Sequence, residues 1–281
     1  MKKTESSKVI SNVILMCFCL IYLFPIYLIL TNSFKSRAEM YENMVALPAK
    51  ISAKYYESAI SKMNLSISLR NSLVITVVSI AILVILCSMT AWMFVRSENK
   101  LSKVLFGLLV ATMLIPFQTI MMPLMQEMNW IGNHVGIKMV DTIPGLLFMY
   151  VGFGAGMGVF LYHGFVTSVP KSLEEAAIID GCNTWQTFWR IVFPILKPTT
   201  MTVIILDVIW IWNDYLLPSL TLKAKSNRTI PISTAKFFGQ YTISWNEAMA
   251  ALVITIVPVA IFYLACQKYI IKGVAAGAVK G

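Results

Sequence analysis

Pro170-Lys-Ser-Leu-Glu-Glu-Ala-Ala-Ile-Ile-Asp-Gly181, continued by Cys182-Asn-Thr-Trp-Gln-Thr-Phe-Trp-Arg-Ile-Val-Phe-Pro194, lies between two long apolar segments. It carries the punctuation of two short helices. Ser172 with Glu175 three residues on has the form of a capping box, which predicts a helix start, and Glu174 and Glu175 fall in the first turn, where exposed amides favour negative charge. Gly181 stands where a glycine commonly ends a helix. Asn183 or Thr184 can cap a second helix whose apolar face, Trp185, Phe188, Trp189 and Val192, recurs at helical spacing until Pro194 and Pro198 end it. Ala176 and Ala177 give the first helix a face almost without side chains, open to close approach by a neighbour. A helix of two turns is marginal in water and depends on packing against a partner. That partner is either the rest of this chain or another protein.

Composition sets the environment. A chain of 281 residues that is 58% hydrophobic and 13% charged, with a mean hydropathy of +0.74, has more apolar surface than one soluble core can hide and belongs in a bilayer. Each crossing takes about 20 mostly apolar residues. Six segments qualify: Val9 to Leu30, Leu73 to Val95, Val104 to Met125, Ile143 to Tyr162, Thr199 to Leu220, and Met249 to Cys266. These runs are continuous, unlike the short alternating strands of a barrel, so the expected fold is an all-α membrane protein with six transmembrane helices. Met1-Lys-Lys and Lys8 precede the first run as in a signal peptide, but that run is too long for a signal core and no A-x-A site follows it, so it is expected to remain as an anchor.

The spans have distinct characters. Pro116 and Pro123 interrupt the third and predict kinks. Gly152, Gly154, Gly156 and Gly158 form two interleaved small-xxx-small patterns in the fourth, suited to close helix packing in preference to a flexible gate. In the fifth, Asp207 would lie near mid-bilayer, at a cost of about 2.5 to 3.5 kcal/mol. By spacing, Asp207, Trp210, Ile211 and Asp214 share a helix face. Asp207 is then either part of a polar path, where carboxylate and indole suit a polyhydroxylated solute, or a buried, satisfied acid at a protein contact.

Several chemistries are poorly supported. Without G-x-x-x-x-G-K-[ST] the chain is not expected to hydrolyse ATP, and without G-x-S-x-G a hydrolase is a poor fit. His134 and His163 have no metal spacing, and neither do Cys17, Cys19, Cys87, Cys182 and Cys266. The net charge of +10 has no soluble domain on which to form a nucleic-acid patch. If the amino terminus is inside, twelve of the 23 basic residues fall on the inner side and eleven on the outer, which barely orients the chain.

Glu175-Ala176-Ala177, three residues, Gly181, nine residues, then Ile191-Val192-Phe193-Pro194 resemble the EAA loop of permease subunits of bacterial ABC importers, departing from it at Phe193, where leucine is usual. Trp212-Asn213-Asp214-Tyr215-Leu216 with Pro218, and the ending Gly273-Val-Ala-Ala-Gly277-Ala278-Val279-Lys280-Gly281, resemble the MalG-like sugar branch. The likeness covers roughly the last three quarters of the chain. It implies the type I ABC importer permease fold, multi-pass in a prokaryotic inner membrane with both termini cytoplasmic. Residues 1–69 would be the first span and an extracellular loop, 70–267 the permease core with its coupling loop at 163–198, and 268–281 a cytoplasmic tail.

The same resemblance implies function. A coupling helix holding Ser172, Glu174, Glu175, Ala176, Ala177, Asp180 and Gly181, with Ile191 and Pro194 behind it, would dock into an ATPase. Gly273, Gly277, Ala278, Val279 and Lys280 would reach the interface of two ATPase subunits, and the loop from about Thr221 to Asn246 would meet a solute-binding protein. Implied partners are a second, MalF-like permease, two ATPases, an extracellular or periplasmic binding protein and membrane lipid, with no nucleic acid. No cofactor is expected in this chain, ATP and Mg being held by the ATPases. Asp207, Trp210, Asn213 and Asp214 are candidates for the translocation path of a sugar. An ion-coupled secondary carrier using Asp207 is the alternative.

Overall fold

In a computed structural model that describes residues 5–97, 99–239 and 243–278, the described chain is helical, with one isolated bridge between Phe238 and Ile243. The helices, in order, are α1 (Glu5–Asn32), α2 (Arg37–Glu42), α3 (Lys54–Met63), α4 (Leu65–Arg96), α5 (Lys100–Thr112), α6 (Phe117–Val135), α7 (Ile143–Val166), α8 (Lys171–Ile179), α9 (Thr184–Thr187), α10 (Phe193–Ile195), α11 (Lys197–Asn213), α12 (Leu216–Thr221), α13 (Ile230–Ala235) and α14 (Trp245–Ala278). Among the described residues four helices are long and apolar enough to cross a membrane, within α1, α4, α7 and α14, and two bent pairs raise the number to as many as six. The six apolar segments of the sequence fall on these elements.

The third span corrects the expectation of a kinked rod. α5 and α6 meet at 106°. Pro116 heads α6 as its N-cap, with φ −63° and ψ 131°, so the chain turns there in extended backbone, and only Pro123 lies inside a helix. Proline costs nothing at a helix start, where its missing N–H would be unpaired anyway, and it disfavours helical backbone in the residue before it.

The chain divides into two compact units. One comprises Met1–Leu65 with Ser233–Pro258, the other Ser66–Ile232 with Val259–Gly281. In the first, Asn246 donates to the Lys35 carbonyl, Ser33 bonds the Tyr56 hydroxyl, and Glu247 accepts from Lys62 and Ser58. The core of the second is built from α4, α7 and α11, with Leu83, Leu146, Tyr150, Tyr162, Leu196 and Val203 fully or almost fully buried.

The glycine pattern of α7 has a structural reason. Gly154 and Gly158 face α4, where an added Cβ would come within 2.7 Å of Leu83 and of the Cys87 sulfur, and Gly156 faces α5, 2.9 Å from the Leu109 carbonyl oxygen. An added Cβ at Gly152 meets nothing within 4 Å. Gly156→Leu should therefore push α5 from α7, with a loss of about 1 to 3 kcal/mol or more, read as a lower thermal midpoint in detergent. Gly152→Ala should lack any comparable clash.

Candidate functional site

The stretch from Pro170 to Pro194 forms the expected pair of helices, but its start differs. Pro170 is the N-cap of α8 and no side chain caps the helix, so the predicted Ser172/Glu175 box is not formed. Proline in extended backbone opens the helix two residues before Ser172, which leaves Ser172 inside the first turn instead of flanking it. Ser172 and Glu175 are both exposed.

Glu174 is the side chain that fixes α8. Its Oε1 accepts from Arg96 Nη2 at 2.6 Å and Nε at 2.9 Å, and its Oε2 accepts from the Trp92 indole at 3.0 Å. Arg96 Nη2 also donates to the Val169 carbonyl at 3.0 Å. Arg96 and Trp92 lie on the last turns of α4, so the carboxylate fastens the loop helix to the end of a membrane span, with both members of the ion pair largely shielded from water. Charge-assisted bonds of this kind are stronger than neutral ones. The sequence reading missed Arg96 as a partner. A basic residue at the end of one span and an acidic residue in a later loop are the available signal, but nothing local pairs them across 78 positions.

The two alanines part company. Ala177 is buried against its own chain, so it cannot face an external groove, whereas Ala176 is exposed. The outer surface of α8 is instead Leu173, Ile178 and Ile179, the last 86% exposed, with Trp185 of α9 also exposed.

The end of α8 is as expected. Gly181 has φ +87°, the left-handed conformation that glycine adopts without cost. Its N–H bonds the Ile178 carbonyl and that of Cys182 bonds the Ala177 carbonyl, the paired bonds of a Schellman cap. Asp180 is the exposed C-cap residue. Asn183 then opens α9 with a capping box, accepting from the Gln186 amide and donating its own N–H to the Gln186 side chain, both at 2.9 Å.

Pro194 does not end the second helix as the sequence suggests. Residues Phe188–Val192 pass into a π-helical turn, the Phe193 N–H reaching the Phe188 carbonyl, and Pro194 sits at the start of α10, where it breaks no bond. The change of axis, 74°, comes between Ile195 and Lys197. Phe188 and Val192 are buried, with the Phe188 ring 5.3 Å from that of Trp92, while Ile191 is half-buried and Pro194 exposed.

The candidate path residues of α11 differ in exposure. Leu206, Ile209, Trp210 and Asn213 are exposed, while Asp207 and Ile211 turn inward. Asp207 is 6% exposed, and its Oδ2 is a buried atom with no hydrogen-bond partner among the described residues. Asp214 closes α11, its Oδ2 accepting from the Tyr150 hydroxyl at 2.9 Å and its Oδ1 from the Leu216 amide. Trp210 meets Tyr150 edge to face at 5.5 Å, and Asn213 donates to the Ile209 carbonyl. Asp207 and Trp210 keep to neighbouring positions on the side of α11 toward α7, the acid buried and the indole at the edge, packed on Tyr150 and beside Gly154 with part of its ring exposed.

The first part of the loop after α12 is held firmly. Asp141, at φ +62°, accepts from the Lys223 and Ala224 amides at 2.8 Å, and its backbone binds Thr221 and Asn227. The Ala224 amide, followed by that of Lys223 and the charge of Lys138, holds this carboxyl below its ordinary range. Asn71 and Ser72 of α4 bind Ser226, Arg228 and Ile230. A cavity of about 460 Å³ opens beside it, lined by Asn129, Asn133, Lys138, Asp141 and Lys223 among others. At the other end of the chain, Gly273, Gly277 and Ala278 belong to the backbone of α14, and Val279 and Lys280 lie outside the described residues.

Comparison with known proteins adds the lineage. The family model described as binding-protein-dependent transport system inner membrane component matches residues 84–276. The probable starch degradation products transport system permease protein AmyC of Thermoanaerobacterium thermosulfurigenes is 43% identical, covering 100% of both chains. The melibiose/raffinose/stachyose import permease protein MelC of Bacillus subtilis is 35% identical, covering 99% of each. A solved bacterial ABC transporter involved in import of the acidic polysaccharide alginate has the same fold, with a TM-score of 0.81 at 24% identity over 96% of this chain and 99% of that one.

Proposed function

This multi-pass membrane chain belongs to the family of binding-protein-dependent transport system inner membrane components, and from that premise we propose that it forms half of the translocation path of an ATP-driven sugar importer. The substrate class is carried over from relatives named for starch degradation products and for melibiose, raffinose and stachyose. A second permease subunit supplies the other half, two ATPase subunits bind ATP and Mg, and a solute-binding protein delivers sugar. Both termini and α8 face the ATPases in the cytoplasm.

One observation carries the coupling part: α8 is fastened inward through Glu174 to Arg96 and leaves Ile178 and Ile179 bare outward. A helix fixed on one side and apolar on the other transmits a push. When the ATPases close on ATP, α8 moves with them, the Glu174–Arg96 pair carries the displacement to the end of α4, and α7 and α11, packed in the same core, follow as rigid rods around the path. Ser172, Glu175, Ala176 and Asp180 form the polar and small part of the docking surface, Gly181 holds the turn, and Ile191 and Pro194 brace the second helix. Ala177 serves from the inside, as the small residue that lets α8 lie close to its own bundle. Trp210 and Asn213, exposed on α11, are the residues placed to meet solute, with Asp214 held by Tyr150 behind them. The tail from Gly273 to Lys280 reaches the ATPase pair.

The Oδ2 of Asp207, buried without a partner among the described residues, is the observation that favours an ion-coupled carrier instead. Uptake of labelled oligosaccharide by cells carrying the complete transporter separates the two. The importer reading expects uptake to stop on ATP depletion and to survive an uncoupler with ATP maintained. Uptake that survives ATP depletion and collapses with the proton gradient overturns it.

A further inference from the structure

The segment Asn43–Leu47, between α2 and α3, has features that connection to a span alone does not require. Tyr41, Met44, Val45 and Leu47 are all exposed, Leu47 to 73%. Met44, Val45 and Leu47 belong to a run without charge from Asn43 to Ala49, bracketed by Glu42 and Lys50, and Tyr41 precedes it on the last turn of α2. An apolar loop of this kind in water would be an anomaly.

Its backbone is unusually well supplied with partners. The Asn43 N–H donates to the Glu39 carbonyl. The Asn43 carbonyl accepts from Lys35 Nζ at 2.9 Å, the Met44 carbonyl from Asn32 Nδ2 at 2.8 Å and Lys35 Nζ at 3.2 Å, and the Val45 carbonyl from the Tyr27 hydroxyl at 2.6 Å. The Val45 and Ala46 amides both donate to Asn43 Oδ1, at 2.9 and 3.0 Å. Lys35 is 1% exposed, its ammonium turned into these carbonyls. Irregular backbone survives at membrane depth only when its polar groups are paired, and from Asn43 to Val45 five of the six backbone groups are, through the side chains of Tyr27, Asn32, Lys35 and Asn43 itself and the Glu39 carbonyl.

Tyr27 also sets the depth. It precedes the end of α1 by five residues, about 7.5 Å along the axis, and helical side chains lean toward the amino terminus. Val45 is therefore drawn back alongside the half-buried end of a span whose most apolar stretch has no residue buried by the protein. Its apolar side chains continue that surface.

We propose that Asn43–Leu47 is a lipid-inserting loop, seated in the leaflet reached by the carboxyl end of α1, with Met44, Val45 and Leu47 among the acyl chains and Arg37, Tyr41 and Lys50 at headgroup level. Insertion of about 5 to 10 Å is typical of interfacial elements. This inference rests on α1 as a span and stands whether or not the chain carries sugar.

Leu47→Cys and Val45→Cys, each made in a chain whose Cys17, Cys19, Cys87, Cys182 and Cys266 are replaced by serine, are spin-labelled and the full chain is reconstituted in phosphatidylcholine–phosphatidylglycerol vesicles. Ser52→Cys serves as the control. Both loop labels should collide several-fold more often with oxygen than with a water-soluble nickel chelate, and Ser52 should show the reverse. Loop labels as open to nickel as Ser52 would overturn the proposal. Protection that arises only when other transporter subunits are added would also overturn it, since the occupant would then be protein.

Discussion

Glu174→Ala should leave the Arg96 guanidinium shielded from water without its carboxylate and deprive the Trp92 indole of its acceptor. Removing one member of a buried pair costs about 3 to 5 kcal/mol, because the other charge stays behind unpaired. The expected result is a large fall in thermal stability of the purified chain and loss of ATP-driven uptake. Arg96→Ala should do the same. The double variant should lose less than the two single losses added together, with an interaction of about 0.5 to 3 kcal/mol. Strictly additive losses would mean that the pair is incidental. Glu174→Gln, which keeps an acceptor for Trp92 but not the charge, should fall between.

Ile179→Asp should have the opposite profile. At 86% exposure the side chain contributes little to its own fold, and surface changes of this kind usually stay within about 0.5 kcal/mol. At a docking face, however, it forfeits about 1.5 to 3 kcal/mol of apolar burial and adds a charge to be desolvated. Affinity for the ATPase should therefore drop by roughly ten- to a hundredfold, measured by titrating purified ATPase against the reconstituted chain. Membrane levels should be unchanged. Ala177→Leu differs again: facing inward at 5% exposure, it should destabilise the chain itself, not block a groove.

Much of this was legible in the sequence because it depends on local chemistry. Long apolar runs, glycine at a left-handed position and asparagine before a short helix each act within a few residues, and all three were realised at Gly181, Asn183 and the spans. What failed was arbitration between equally local signals. Ser172 and Glu175 fit a capping box, but Pro170 had already opened the helix. Pro194 fits a helix stop, but a π-helical turn before it removed the conflict. Pro116 allows either a kink or a sharp corner, and neighbouring helices decide between them. The most consequential feature, Glu174 on Arg96, joins distant positions and has no local signature. Nor does spacing alone say how deeply each residue of a shared face is enclosed, so it does not distinguish buried Asp207 from Trp210 at the edge.

The central claim is that the bare side of α8 faces the cytoplasm and is covered there by an ATPase. Ile179→Cys, in the background with the five native cysteines replaced by serine, tests it by reaction with a membrane-impermeant maleimide. The residue should be unreactive in intact cells, reactive in inside-out vesicles stripped of ATPase, and protected again when purified ATPase is restored. Labelling from outside intact cells, or reactivity in the vesicles that the ATPase leaves unchanged, would contradict the account.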